Sequence, residues 1–147
     1  GPEPGGRDRG GMTVSGLNHL TLATSDLDRA VAFYRDVLGC RVRATWTTGA
    51  YLEMGDIWLC LSLDPAARTG PHPDYSHIAL STAPDAFAVV KGRIEASAQI
   101  WKDNRSEGAS VYFLDPDGHK LELHVGTLDS RLAAMRQSPP PGFEAFD

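Results

Sequence analysis

An excess of basic residues is missing from this chain: Lys and Arg total 14 against 19 Asp and Glu, a net charge of −5 over 147 residues. A surface of that sign has no electrostatic footprint for phosphodiester backbones, so no nucleic-acid partner is expected. Long apolar runs are also missing, and no stretch approaches membrane-spanning length, so no membrane partner is expected. Cysteine occurs only at Cys40 and Cys60. Two cysteines make no disulfide framework, which favours a reducing, cytoplasmic compartment. The opening GPEPGGRDRGG, residues 1–11, has no hydrophobic core of the kind a secretory signal requires. It reads as a disordered leader or a cloning remnant ahead of Met12. The remaining length suits one domain, or two small halves around a shared core, and needs no covalent staples.

What is present is a pattern that runs twice. In "GLNHLTLATSDLDRAVAFYRDVLG" an alternating strand comes first. Ser25 and Asp26 then offer an N-cap, Leu27, Ala30, Val31, Tyr34 and Leu38 keep helical spacing, and Gly39 supplies the stop. "CRVRATW", "AYLEMG" and "IWLCLSL" read as three strands. After a break rich in Asp, Pro and Gly the pattern restarts: "YSHIALST" as strand, "APDAFAVVKGRIEA" as helix, then "QIWKDN", "SVYFLD" and "HKLELHV" as strands. The expected organisation is a βαβββ module over residues 12–66, a linker over 67–74, and a second module over 75–126. A C-terminal helix or turn with an extended tail fills 127–147, because Pro139 to Pro141 forbid a helix there. Duplication at this scale is a fold-level clue, and it predicts an α+β fold whose paired modules form one curved mixed sheet around a shared cavity.

The stretch "DPDGHKLELHVG" contains the first candidate chemistry. Asp-Pro-Asp-Gly is a turn, and alternation follows it. Lys120, Glu122 and His124 therefore share one face, while His119 leaves with Leu121 and Leu123. Aligning the halves sets His19 against His77 in the opening strands, and Glu122 against Cys60 in the closing strands. Two neutral imidazoles and one carboxylate suit a divalent metal with open positions, with Mn²⁺ and Fe²⁺ as candidates and Zn²⁺ as an alternative. His119 reads as a surface or turn histidine, His124 as a neighbour that supports a ligand, and Cys60 as a small core cysteine. Across the strands one face is aliphatic, while the other collects His, Thr, Tyr, Trp, Ser and Glu, as binding faces do. "KDNRSEGAS" reads either as a polar surface loop or as a cage of oxygens for a monovalent cation, with Lys102 and Arg105 beside it for an anion. Spacing alone leaves both readings open.

Taken together, "GLNHLTLA", "FYRDVLG", "WLCLS", "RSEGAS" and "DPDGHKLE" resemble the glutathione-dependent fosfomycin resistance transferases of the vicinal oxygen chelate (glyoxalase-like) superfamily, from about Met12 through the tail. "FYRDVLG" and "DPDG" are generic to the superfamily; "RSEGAS" and "WLCLS" are much more specific. The resemblance implies Mn²⁺ held by His19, His77 and Glu122, and K⁺ held by Asn104, Ser106, Glu107, Gly108 and Ser110. It implies phosphonate contacts from Lys102, Ser106, Ser110, Tyr112 and Arg131. Thr21 would lie beside the oxirane oxygen, with Trp58 and Tyr75 lining the pocket. Trp46, Tyr51, Ser62 and Arg105 match the glutathione channel, with Tyr51 placed to stabilise the thiolate. The resemblance also implies a homodimer in which two chains exchange half-domains.

Two departures stand out: Thr48 where Gln is frequent beside the channel Trp, and Ala109 where Asp is usual in the cation loop. A hydrolase of the same group would use a glutamate base in the segment Thr48-Gly49-Ala50, and none is there. Cysteine- or bacillithiol-using relatives typically lack the full cation loop. A glyoxalase-type isomerase would want a carboxylate in place of Cys60. A metal-free sequestering protein of the same fold would not need His19, His77 and Glu122 together. The expected activity is addition of glutathione to the fosfomycin epoxide, Mn²⁺-dependent and K⁺-activated. The alternatives are another thiol, water, or a different substrate on the same fold.

Overall fold

A computed structural model of the chain describes residues 13–146, and the leader at residues 1–11 lies outside the described residues. Strand β1 (His19–Thr24) leads into helix α1 (Leu27–Ala32), which continues as a π-helical turn over Phe33–Val37. Then come β2 (Arg41–Trp46), β3 (Gly49–Met54) and β4 (Ile57–Leu63). The second half repeats the order: β5 (Ile78–Ser81), α2 (Phe87–Ser97), β6 (Ile100–Lys102), β7 (Ala109–Leu114) and β8 (Lys120–Val125). Helix α3 (Leu128–Gln137) closes the chain ahead of the proline tail. Of the two candidate caps for α1, Asp26 is used, its carboxylate accepting from Arg29 N at 3.1 Å.

The strands form two four-stranded sheets, ordered β1-β4-β3-β2 and β5-β8-β7-β6, with no ladder joining them among the described residues. The curved sheet expected from the sequence is thus realised as two open sheets. In each, the first strand runs parallel to the last and the other pairs are antiparallel. The registers match across the halves. Thr21 pairs Cys60 where Ala79 pairs Glu122, and Tyr51 pairs Cys60 where Tyr112 pairs Glu122. Stepping back two residues from Thr21 and Ala79 reaches His19 and His77, the equivalence expected from the duplicated pattern.

Alternation sends the aliphatic faces inward. Leu59, Leu61, Ile94, Phe113 and Leu121 are at most 1% exposed and share one core with Tyr34 of the π-helical turn. This core joins both halves through the helices, so each sheet keeps its other face out of it.

A polar seam ties the Asp-Pro-Asp-Gly turn to the start of the chain. Tyr34 Oη donates to Asp115 Oδ2 at 2.7 Å, and Ser25 N and Arg29 Nη2 both donate to Asp117 Oδ1 at 3.0 Å. His119 belongs to this seam, which corrects the surface reading made from sequence. It is 9% exposed, and its Nε2 donates to the Ala23 carbonyl at 2.8 Å. Facing the aliphatic side carries it into the packed interior, where a backbone acceptor satisfies it. Burial, then Asp115, drives the Tyr34 hydroxyl well above its ordinary value, and burial raises Asp115 as well. Burial also pushes Asp117 upward, but hydrogen bonds from Thr24 and Ser25 together with Arg29 hold it below the usual carboxylate range.

Candidate functional site

Glu122 is 6% exposed on β8, on the face it shares with Lys120 and His124. Its Oε2 accepts from Ser110 Oγ at 2.6 Å, and its Oε1 lies 3.1 Å from His77 Nε2. His77 immediately precedes β5, which is shorter than the sequence pattern predicts. An Asx turn, with Ser76 N donating to Asp74 Oδ1 at 3.0 Å, bends the chain before the ladder begins. His77 Nδ1 lies 2.9 Å from the Tyr75 carbonyl oxygen. A carbonyl only accepts, so Nδ1 donates to it, and Nε2 is the ring atom turned toward the carboxylate. A proton on Nε2 makes this 3.1 Å contact a hydrogen bond, and a divalent cation would take the same two atoms as ligands. The pair therefore fits a divalent metal of the His/carboxylate class.

His19 is not part of this cluster within one chain. It opens β1 on the other sheet, exposed, with Nδ1 donating to Asn18 Oδ1 at 2.7 Å and its ring 4.4 Å from that of Trp58. Among the described residues no three His, Cys, Asp or Glu side chains come close enough to share a metal ion. Clefts of about 420 and 470 Å³ occur elsewhere, and neither is lined by His19, His77 or Glu122. The first sheet therefore presents one of the three predicted ligands, His19, and the second presents the other two. Cys60 is half-buried opposite Thr21 and Tyr51, not in the core as expected.

The two faces carry different aromatic groups. Around His77, the rings of Tyr75, Trp101 and Tyr112 meet edge-on at 5.0 to 5.9 Å. Lys102 Nζ sits over Tyr112 at 4.6 Å and over Tyr75 at 5.2 Å. Hydrogen bonding with Tyr75 raises the Lys102 pKa above its ordinary value. Sequence reasoning missed Trp101, because alternation sets it opposite Lys102. A bulge between Ile100 and Lys102 breaks that alternation and brings both side chains to one cluster. Lys120 was missed as well; its ammonium lies 5.0 Å from the Trp101 ring and donates to the Asp74 carbonyl.

On the other face, Trp46, Tyr51, Trp58 and His19 form a continuous strip with ring separations of 4.7, 5.1 and 4.4 Å. Trp46 lies directly on Gly49, where a Cβ would come within 2.3 Å of the indole. Thr21 is exposed beside this strip, and Ser62 is half-buried one ladder step along β4.

The loop between β6 and β7 is closed by its own side chains. Asn104 Oδ1 accepts from the amide and hydroxyl of Ser106 at 3.1 Å, and Asn104 Nδ2 donates to the Gly108 carbonyl at 3.0 Å. Arg131 of α3 leans onto this loop, donating to Glu107 Oε1 at 3.1 Å and to Ser106 Oγ at 3.4 Å. Ser110 turns away from it toward Glu122 and His124. Arg105 is exposed.

This fold, with a histidine and a carboxylate paired on an open sheet face, defines the class. The chain belongs to the Glyoxalase/Bleomycin resistance protein/Dioxygenase superfamily, whose family model matches residues 16–123. It is 54% identical to the glutathione transferase FosA of Serratia marcescens over 88% of this chain and 94% of that protein. To the metallothiol transferase FosB of Shouchella clausii it is 38% identical, covering 86% and 91% of the two chains. Among solved structures, a point mutant of the fosfomycin resistance protein FosX from Listeria monocytogenes superposes with a TM-score of 0.72. That chain is 26% identical, the match covers 82% of this chain and 99% of that one, and its complex contains Mn(II) and 1S,2S-dihydroxypropylphosphonic acid.

Proposed function

We propose that this chain inactivates fosfomycin by adding the thiol of glutathione to an epoxide carbon. The observation that carries this reading is His77 Nε2 lying 3.1 Å from Glu122 Oε1, set beside Lys102 over Tyr75 and Tyr112. A metal seat next to an ammonium held over two tyrosine rings suits a small phosphonate that also offers an oxygen ligand. The 54% identity to a glutathione transferase supports the thiol, and the fosfomycin resistance relative holding Mn(II) supports the antibiotic and the metal.

In this reading His77 and Glu122 of one chain and His19 of a second copy hold Mn²⁺. The separation of His19 from the other two within one chain supports a homodimer with exchanged half-domains. A bound divalent ion supplies Lewis acidity toward the epoxide oxygen. Lys102 and Arg131 offset the phosphonate charge that otherwise repels a thiolate, with Ser106, Ser110 and Tyr112 as hydrogen-bonding partners. Arg131 already spans Ser106 and Glu107, so its phosphonate role requires it to share its guanidinium between loop and substrate. Thr21 faces the oxirane oxygen, with Trp58 and Tyr75 as walls. The strip of Trp46 and Tyr51, with Ser62 and Arg105, receives the thiol, and Tyr51 donates to the thiolate. A carbon–sulfur bond forms as the carbon–oxygen bond breaks, and the thiol proton ends on the new hydroxyl. K⁺ is assigned to Asn104, Ser106, Glu107, Gly108 and Ser110, whose oxygens are of the kind a hard monovalent cation takes, and this role requires Ser110 to turn back toward the loop. The reducing cytoplasm is the assigned compartment, where glutathione and two unpaired cysteines both belong. The described residues contain no helix long and apolar enough to cross a membrane.

The test is fosfomycin consumption followed by ³¹P NMR with glutathione, cysteine, bacillithiol or no thiol, each with and without Mn²⁺ and K⁺. Glutathione with Mn²⁺ is expected to be fastest and K⁺ to accelerate it. Turnover with water alone would convert the reading to a hydrolase, and no loss under any condition removes it.

A further inference from the structure

His124 lies in direct register with Ser110 across the β7–β8 ladder, one step from Glu122. We infer that His124 is a positioning residue that acts through Ser110 to fix Glu122 as a one-oxygen ligand. This rests on the reading of Glu122 as a metal ligand. Ser110 Oγ is 2.6 Å from Glu122 Oε2 and 2.6 Å from His124 Nδ1, and Ser110 is 8% exposed. A hydroxyl has one proton to give. An ionised carboxylate can only accept, so that proton goes to Glu122, and Ser110 Oγ must in turn accept from His124 Nδ1–H. Both the neutral Nδ1–H ring and the imidazolium carry that hydrogen, so the relay does not depend on the charge of His124.

The ring has a seat shaped for it. A Cβ at Gly108 would come within 3.0 Å of His124 Cε1, and one at Gly126 within 2.5 Å of Nε2. Two residues without side chains thus flank an imidazole that is 16% exposed. Its outer nitrogen lies 3.8 Å from Glu107 Oε1, which Arg131 also holds. With Oε2 committed to Ser110, Glu122 turns Oε1 alone toward His77. Ser110 keeps one lone pair free, so the relay is compatible with a contact to a cation, whereas donating to a phosphonate would require Ser110 to release Glu122. Without Nδ1–H the Ser110 hydroxyl is free to rotate, and Glu122 loses the contact that sets its orientation.

The measurement is Mn²⁺ affinity of the full-length, metal-free protein without substrate, read from the EPR signal of free Mn²⁺. His124→Leu is expected to weaken binding by about 10–100-fold, the usual cost of losing a supporting partner of a ligand. His124→Asn places an amide N–H where Nδ1 was and is expected to stay within about threefold of wild type by restoring that bond. His124→Gln carries its donor one bond further out and should behave like the Leu variant. Loss of the imidazole as such would not separate Asn from Gln, and melting of the metal-free proteins checks the fold and packing directly. Should the Leu variant not fold, the Asn and Gln pair decides alone. Wild-type affinity in His124→Leu, or equal affinities for Asn and Gln, overturns the inference. Glu122→Ala separates the two failures: wild-type affinity there defeats the ligand assignment itself. Affinity lost there but kept in His124→Leu and His124→Gln defeats only the relay.

Discussion

Asp115, Asp117 and Glu122 are all buried, yet their neighbours send them to different ends. Glu122 faces His77 Nε2 and a hydroxyl donor, Asp115 is raised by desolvation, and Asp117 is held low by its donors against its own burial. The signs follow from linkage. Unfolded Asp117 titrates near the ordinary value of about 3.9, and folded Asp117 titrates lower. Its contribution is therefore full above that value and is lost as pH falls through the folded pKa. Asp115 works oppositely, since its raised pKa removes stability as pH climbs through the folded value. Asp117→Asn is expected to cost about 1–3 kcal/mol at neutral pH, with the deficit shrinking once pH drops below about 4. Urea unfolding of both proteins at the two pH values checks this; a deficit that stays constant counts against the ionised-state account. Residue type and strand alternation made Glu122 a candidate, whereas the seam role of His119 depends on a carbonyl 96 positions away.

At the scale of elements, short turns carry more constraint than their polarity suggests. Gly118 closes the turn with its amide donating to the Asp115 carbonyl at 3.0 Å, and it does so at φ +87°. A Cβ there would lie 2.6 Å from the Gly70 carbonyl carbon, which belongs to the loop between β4 and β5. Gly118→Ala meets both a left-handed backbone penalty of about 1–2 kcal/mol and a backbone that cannot swing aside. The expected result is a lowered melting temperature and loosening of the loop at Gly70, read by amide hydrogen exchange. Unchanged exchange at residues 69–71 would contradict the close packing. The alternation of apolar residues located β4 and β8 closely, because a strand buried on one face advertises its period. The same rule shortened badly at β5 and β6. An Asx turn before Ile78 and a bulge after Ile100 depend on side-chain hydrogen bonds and pairing that periodicity does not encode.

For the whole molecule, the separation of His19 from His77 and Glu122 sets the strongest expectation. If each site draws His19 from one chain and the other ligands from its partner, His19→Ala and Glu122→Ala are each inactive alone. Unfolded together and refolded, they form mixed dimers in which one site has all three wild-type ligands. Random pairing then restores about a quarter of wild-type turnover. Sites confined to single chains would give no recovery under the same mixing. The duplication was legible because both halves repeat one spacing, and the registers Thr21–Cys60 and Ala79–Glu122 keep it. That the halves do not close on each other within the chain was not legible in the residue pattern, although the family resemblance implied exchanged half-domains. Edge strands β1 and β5 look alike in sequence whether they meet one another or a second copy.

The sequence by itself determined the repeated βαβββ order, the aliphatic and polar faces, and the placing of Glu122 and His119 on opposite faces of one strand. Each of these follows from local backbone period, which residue order controls directly. Tertiary structure alone decided that His77 and not His19 meets Glu122 and that His119 is buried in the seam. It also brought Trp101 to Lys102 and gave His124 its place behind Ser110. Those outcomes depend on contacts between residues distant in the chain, where the orientation of one donor is set by the acceptor that packing brings to it.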